Sequence, residues 1–343
     1  MRILVTGGAG YIGSHAAKLL AACGHDPVVL DNLSTGHRWA VQWGPLVEGD
    51  IGDAELVRRT LLHHHIEVVM HFAAHAYVGE SMTDPKKYFG NNVVKTLTLL
   101  DAMIQAGVPR LVFSSTCATY GVPEQDLLDE SHPQRPINPY GESKLFVERA
   151  LQWYGIAYGL KWMALRYFNA AGADEGLEIG ESHEPETHLI PLVLQAAGGE
   201  RENVTIFGHD YPTCDGTAVR DYIHVTDLAR AHERAAEHLM RGGESLALNL
   251  GTGHGYSVRQ VVETAEHVTG HKIPVQTSSR RQGDPPVLVA RARKAAEILG
   301  WSPACSGLDN ILQTAWNWYC RQRPGSSYCG QRQETTGPWL SIG

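Results

Sequence analysis

The 343-residue chain has no run approaching the ~20 consecutive apolar residues that a membrane-spanning helix needs, so no membrane partner is expected. Met1-Arg2-Ile3-Leu4-Val5-Thr6 runs straight into glycines, without an apolar secretory region or a small-residue cleavage site. A cytoplasmic location is therefore expected. The chain is also short of basic charge: 29 Lys+Arg stand against 37 Asp+Glu, a net −8. Nucleic-acid binders draw most of their affinity from neutralising phosphates, so no nucleic-acid partner is expected. Any anionic ligand has to be held by a few placed arginines and backbone amides. The six cysteines contain no Cys-x-x-Cys pair and read as reduced thiols. Histidines are plentiful, but His63-His64-His65 ends a helical pattern and His183 and His188 bracket a polar loop without metal-ligand spacing. They are expected to be solvated or satisfied in the core, and no metal site is predicted.

What is present is a repeated strand–helix pattern. Ile3–Thr6, Val28–Asp31, Val68–Phe72, Leu111–Ser114 and Met163–Arg166 are continuous apolar runs of strand length. Continuous rather than alternating runs indicate a parallel sheet covered on both faces. Between the third and fourth, Val93, Leu97, Leu100 and Ile104 form a stripe at helical spacing. The fold class is α/β, a doubly wound parallel sheet of Rossmann type with a smaller mixed α/β C-terminal lobe. Residues 1–172 read as the first domain, with 222–250 returning to it. Residues 173–320 form mainly the second lobe, and 321–343 a loosely ordered tail.

Gly7-Gly8-Ala9-Gly10-Tyr11-Ile12-Gly13 follows the first strand and opens a helix. Gly7, Gly10 and Gly13 allow a tight turn and let a pyrophosphate approach the amides at the helix N-terminus. Asp31 ends the second strand, where a carboxylate accepts hydrogen bonds from ribose hydroxyls and repels a 2′-phosphate. The expected cofactor is NAD rather than NADP.

Ser114-Ser115-Thr116 closes the fourth strand, and Asn138-Pro139 then signals a helix start. Tyr140 and Lys144 are i and i+4 on that helix, so ammonium and phenol share one face. A lysine, a positive nicotinamide and the helix N-terminus all favour phenolate, so the phenol pKa is expected to fall from about 10. Tyr140 would exchange a proton with a substrate hydroxyl, with Thr116 hydrogen-bonded to the same oxygen.

Together these residues resemble the extended short-chain dehydrogenase/reductases, and specifically the UDP-glucose (UDP-galactose) 4-epimerases. The resemblance covers about residues 1–320 and includes Gly49-Asp50-Ile51, His71-Phe72-Ala73-Ala74, Asn91-Asn92-Val93, Leu165–Asn169 and Arg220-Asp221-Tyr222-Ile223-His224. It implies that Tyr11, Ile12, Asp31, Asn32, Asp50, Ile51, Phe72, Ala73, Ala74 and Asn91 line an NAD cleft. Lys144 would also hold the nicotinamide ribose, and Phe168 would lie on the cofactor side. Asn169, Leu189, Thr205, Phe207 and Asp284 would surround a UDP-sugar. Arg220 and Arg281 would grip its diphosphate, and Leu288 would set how large a sugar fits. The implied reaction is a reversible inversion at C4 of a UDP-hexose through a 4-keto intermediate. UDP-N-acetylhexosamine and UDP-xylose/UDP-arabinose are alternative substrates. A dehydratase or a non-catalytic NAD sensor is a weaker alternative, because Cys117 stands where dehydratases carry an acid and Tyr140 and Lys144 are both kept. Ala76 replaces a lysine that touches cofactor in some members. A homodimer is expected from the resemblance alone.

Overall fold

The computed structural model describes residues 1–281 and 284–329. The strands in chain order are β1 (Arg2–Thr6), β2 (Asp26–Asp31), β3 (Leu46–Glu48), β4 (Val68–His71), β5 (Arg110–Thr116), β6 (Leu127–Leu128), β7 (Lys161–Tyr167) and β8 (Asn169–Ala171). They continue with β9 (Val204–Phe207), β10 (Val219–Arg220), β11 (Tyr222–His224), β12 (Leu246–Leu250), β13 (Tyr256–Ser257), β14 (Val275–Ser278) and β15 (Val287–Ala290). The helices are α1 (Tyr11–Ala22), α2 (Ala54–His63), α3 (Val78–Thr83), α4 (Pro85–Tyr88), α5 (Lys95–Ala106) and α6 (Pro139–Tyr158). After them come α7 (Leu189–Ala197), α8 (Val225–Met240), α9 (Val258–Thr269), α10 (Arg293–Leu299) and α11 (Leu308–Arg321).

Seven strands form one all-parallel sheet in the order β12-β7-β5-β4-β1-β2-β3. Because side chains alternate across a strand, each apolar run serves two cores. Leu4, Val69, Leu111 and Phe113 pack with Val57, Leu61, Leu99, Met103, Val147 and Leu151 under α2, α5 and α6. Ile3, Val5, Met70, Val112 and Leu165 pack with Leu20, Leu228, Ala235 and Leu239 under α1 and α8. The order reverses at β1, whose two neighbours are β2 and β4. The carboxyl end of β1 is therefore the crevice where a doubly wound sheet binds its ligand.

Beyond β7 the chain crosses between layers. α8 packs on α1, and β12 pairs with β7 at the sheet edge. A second core gathers Ile190, Val193, Val261, Ala265, Ile311, Leu312 and Trp316 from α7, α9 and α11. A four-stranded sheet, β13-β10-β15-β6, joins this lobe to the main layer.

Three expectations are corrected. On α5 the fully buried positions are Thr96, Leu99, Leu100, Ala102 and Met103, while Leu97 and Ile104 lie on its flank. The preceding Phe89–Val94 segment is a π-turn, whose wider i→i+5 winding rotates the phase of the stripe. Second, Cys320 and Cys329 are not reduced thiols but a disulfide, with Cα atoms 5.3 Å apart. The chain reverses after α11 through a turn in which Ser326 N–H donates to Arg323 C=O and Cys329 N–H to Ser326 C=O, which returns Cys329 to the helix end. Third, residues 322–329 are pinned rather than loose: Arg323 pairs with Glu200, and the His271 ring meets Tyr328 C=O at 2.9 Å. The rest of the expected loose tail, 330–343, lies outside the described residues.

Candidate active site

The loop after β1 is built on close backbone approaches. Gly7 has φ +72°, and a Cβ on it would sit 2.5 Å from Ala73 N. A Cβ on Gly13 would overlap the Gly7 carbonyl. At Gly10 a Cβ would meet only Gly7 O, at 3.3 Å, so this position is open toward the cavity. Gly10 is the N-cap of α1 and supplies no side-chain cap, so the first-turn N–H groups are left for an anion. The cradle fits a dinucleotide pyrophosphate.

Asp31 is buried, and its two oxygens accept Ala9 N–H at 3.0 Å and Leu33 N–H at 2.8 Å. Burial raises its carboxyl pKa, opposed by these two hydrogen bonds. The residue thus holds the glycine loop as well as facing the ribose position. Asp31→Ala is expected to relax discrimination against NADP and to weaken NAD binding too, because Ala9 and Leu33 lose their acceptor. Titrating the variant with both dinucleotides checks this; an unchanged NAD/NADP ratio would contradict the assignment. Asp50 receives Asn32 Nδ2 at 2.9 Å, Gly52 N at 2.8 Å and Lys95 Nζ at 2.6 Å. Lys95 and these donors hold its carboxyl below the usual range despite partial burial.

Asn138 caps α6 by accepting Gly141 N–H at 2.8 Å, and Pro139 occupies the first turn. A Cβ on Gly141 would lie 2.5 Å from Ala118 O, so glycine here lets the helix start seat against the loop after β5. That contact sets Tyr140 beside Thr116 on the wall of the same cavity, where the threonine side chain works to lower the phenol. One turn on, Lys144 Nζ donates to Ser114 O at 2.8 Å and lies 4.9 Å from the centre of the Phe113 ring. Lys144 is buried and Tyr140 half-buried on the cavity wall. Burial, with Tyr167 beside it, drives the Tyr140 phenol well above its ordinary value. Burial also lowers the Lys144 ammonium to about 7, opposed by the Glu148 carboxylate. The chain's own groups therefore keep the phenol protonated, and poising it as a base takes additional positive charge.

All the candidate residues meet in one cavity of about 1650 Å³. Single ligand pockets run to ~300–1,000 Å³, so this space suits two ligands side by side. Gly7, Gly10, Tyr11, Ile12, Gly13, Asp31, Asn32, Asp50, Ile51, Phe72 to Ala74 and Asn91 line it, with Thr116, Tyr140, Lys144 and Phe168. Asn169, Leu189, Thr205, Phe207, Arg220, Arg281, Asp284 and Leu288 line it too. Arg220 is oriented by Val219 O and Pro285 O, at 2.8 and 2.9 Å, and Arg281 lies 3.9 Å over the Phe207 ring. Asn169 Nδ2 donates to Asp221 O at 2.8 Å.

Several cavity-shaping residues escaped the sequence reading. Asp221 is buried and accepts from the backbone N–H groups of Thr252, Gly253 and Ala290, tying the β10–β11 junction to the loop after β12 and to the end of β15. Asn92 Oδ1 accepts His75 N–H and its Nδ2 donates to His75 O, both at 2.9 Å, which pins the loop after β4. The pair Asn91-Asn92 was the only visible cue. His183 is partly buried and His188 exposed, and both meet carboxylates. Their Nδ1 atoms lie 3.2 and 3.0 Å from Glu181 Oε1, and His188 lies 2.8 Å from Glu186 Oε1. The carboxylates hold the His188 imidazolium above its ordinary pKa, which makes it an ion-pair partner on the cavity wall. The polar 181–188 loop folds back on itself, which spacing alone did not reveal.

A sequence profile of the NAD dependent epimerase/dehydratase family matches residues 3–251. A UDP-glucose 4-epimerase of Rhizobium meliloti (strain 1021) is 53% identical over 94% of this chain and 98% of its own. The crystal structure of UDP-glucose 4-epimerase from Brucella ovis in complex with NAD superimposes with TM-score 0.91 at 54% identity, covering 92% of this chain and 97% of that one. The Bifidobacterium longum UDP-glucose 4-epimerase in complex with NAD+ and UDP gives TM-score 0.88 at 37% identity, over 94% and 98%. With the glycine cradle, the Tyr140–Lys144 helix and the two-ligand cavity, these likenesses identify the chain as a member of the NAD-dependent epimerase/dehydratase family, among the UDP-glucose 4-epimerases.

Proposed function

We infer that the chain interconverts UDP-glucose and UDP-galactose by inverting C4 of the hexose. The observation that carries this reading is the one cavity that Tyr140 and Thr116 line together with a glycine cradle and the arginines Arg220 and Arg281. NAD, when bound, supplies positive charge and an acceptor for the C4 hydride. The protein's part is to hold and move a proton. Tyr140 Oη takes it from the C4 hydroxyl and returns it to the inverted centre, with Thr116 hydrogen-bonded to the same oxygen. Lys144 holds the nicotinamide ribose and adds its charge beside the phenol. Arg220 and Arg281 grip the diphosphate, a geometry suited to guanidinium groups. Binding energy is thereby placed on the non-reacting nucleotide, leaving the 4-keto sugar free to turn over and present its other face.

Cys117 supports epimerisation over dehydration: burial pushes its thiol up to about 12, so it supplies no ready acid–base group for elimination. Residues 1–172, with α8 and β12, serve as the NAD-binding domain, and 173–320 mainly as the UDP-sugar lobe. Among the described residues no helix is long and apolar enough to cross a membrane.

The deciding experiment incubates purified protein with UDP-galactose, UDP-N-acetylgalactosamine and UDP-arabinose and resolves the products. UDP-glucose formed from UDP-galactose without net NADH is expected. A 4-keto-6-deoxy product would mark a dehydratase, and no turnover a binding protein.

A homodimer is part of the same reading. On α6, Phe146, Trp153 and Ile156 are exposed on one face, Ile156 at 77%. Such an apolar strip beside α5 suits a helix pair from a second copy. Trp153→Glu is expected to convert dimer to monomer in sedimentation velocity; a wild-type chain already monomeric at micromolar concentration would remove the proposal.

A further inference from the structure

Tyr140 and Lys144 share their helical face with a third polar side chain. Glu148 stands four residues beyond Lys144 and is 2% exposed. The end of β5 is tied to this face at two consecutive residues, just before Thr116. Ser114 O accepts from Lys144 Nζ, and Ser115 Oγ donates to Glu148 Oε1. The first tie involves a residue assigned to the reaction; the second has no role assigned so far.

Glu148 is itself held rigidly. Arg166 Nε donates to its Oε1 at 3.0 Å and Nη2 to its Oε2 at 2.6 Å, and Gln134 Nε2 adds a bond at 3.1 Å. Arg166 Nη1 donates to Tyr120 Oη at 3.0 Å, and that hydroxyl donates to Asn249 Oδ1 at 2.6 Å on β12. The carboxylate is thus the junction between helix, strand end and a buried polar chain reaching the sheet edge. A buried ion pair of this kind adds little net stability compared with an apolar pair of similar volume. What it provides is direction: the carboxylate can accept from Ser115 at only one place.

We propose that Glu148 is a positioning residue for the reaction, its carboxylate, oriented by Arg166, fixing the strand end that carries Thr116 against the helix face that carries Tyr140 and Lys144. The proposal rests on the epimerase reading above. It acts through Thr116 and Lys144 and touches no ligand, so its effect belongs in turnover and not in UDP-sugar binding. Misplacement of reacting groups by about 1 Å costs up to ~10²-fold.

The test compares three variants of the NAD-loaded enzyme with wild type, whose own UDP-galactose turnover establishes the parent reading independently. Glu148→Gln/Arg166→Met removes both charges but keeps an acceptor for Ser115. Glu148→Met/Arg166→Met removes the acceptor as well. Ser115→Ala removes the donor and leaves the ion pair intact, so it remains informative if a double variant fails to fold. Expected is a fall in kcat of about 10–100-fold for the Met/Met pair and for Ser115→Ala, and a smaller fall for the Gln/Met pair, with KM unchanged throughout. Ser115→Ala added to the Met/Met pair should cost nothing further, since the two act as one unit. Equal kcat in Ser115→Ala and wild type would overturn the proposal. So would a loss in Ser115→Ala expressed mainly in KM, or additive losses in the combined variant.

Discussion

Tyr140→Phe is expected to lower UDP-galactose turnover by ~10²–10⁴-fold, the usual scale for removing an acid–base group. KM should change little, because the hydroxyl is one contact among the many made to the nucleotide. The structure adds a reason for the loss to be near the upper end. Thr116 faces the phenol, but its Oγ1 already accepts Ala118 N–H at 3.2 Å. Cys117 next to it is held as a thiol by burial. Tyr167 Oη is engaged with Ser114 Oγ at 2.5 Å, and burial pushes it up to about 12. None of these neighbours is set up to take over the proton. Steady-state kinetics with the NAD content of each preparation measured would decide the matter, and turnover within tenfold of wild type would exclude Tyr140 from proton transfer.

The same residue shows how far a sequence can be read. The position of Tyr140 was legible because every determinant is local: an asparagine cap, a proline in the first turn and a four-residue spacing to Lys144. The main sheet was legible for a similar reason, since strands covered on both faces carry unbroken apolar runs. β3 was not, being only Leu46-Val47-Glu48, too short for any periodicity. The burial that raises the phenol was not legible, because it is a property of the whole fold. Glu148 and Asp221 were missed on the same ground. Their partners lie 18 and 33 residues away for Glu148, and 31 and 69 for Asp221. In one dimension each is simply an acid on a helix or beside a strand. The Cys320–Cys329 bond depends on a chain reversal that no periodic pattern announces.

Lys144 carries the opposite bargain, a functional charge held at the expense of stability. Its native pKa, lowered by burial to about 7, lies below the ~10.4 of a solvated lysine. Below pH ~7 the folded and unfolded chains both carry the proton, and the native state bears the full penalty of a buried ammonium. Between ~7 and ~10 the unfolded chain binds one proton more, so this residue's contribution to stability rises with pH. Lys144→Met fills similar volume without the charge. Freed of NAD, it should melt several degrees above wild type at pH 6, with the gap closing as pH approaches 10. The same variant should lose turnover by roughly 10²–10³-fold, the scale for removing one preorganised electrostatic donor, and retain less NAD through purification. Calorimetry of the NAD-free proteins across pH, beside turnover of the reloaded ones, separates the two effects. A Lys144→Met protein no more stable than wild type at pH 6 would mean that the ammonium is solvated, and the electrostatic account of the site would fall with it. A variant both more stable and inactive is what a buried cation placed to serve chemistry requires.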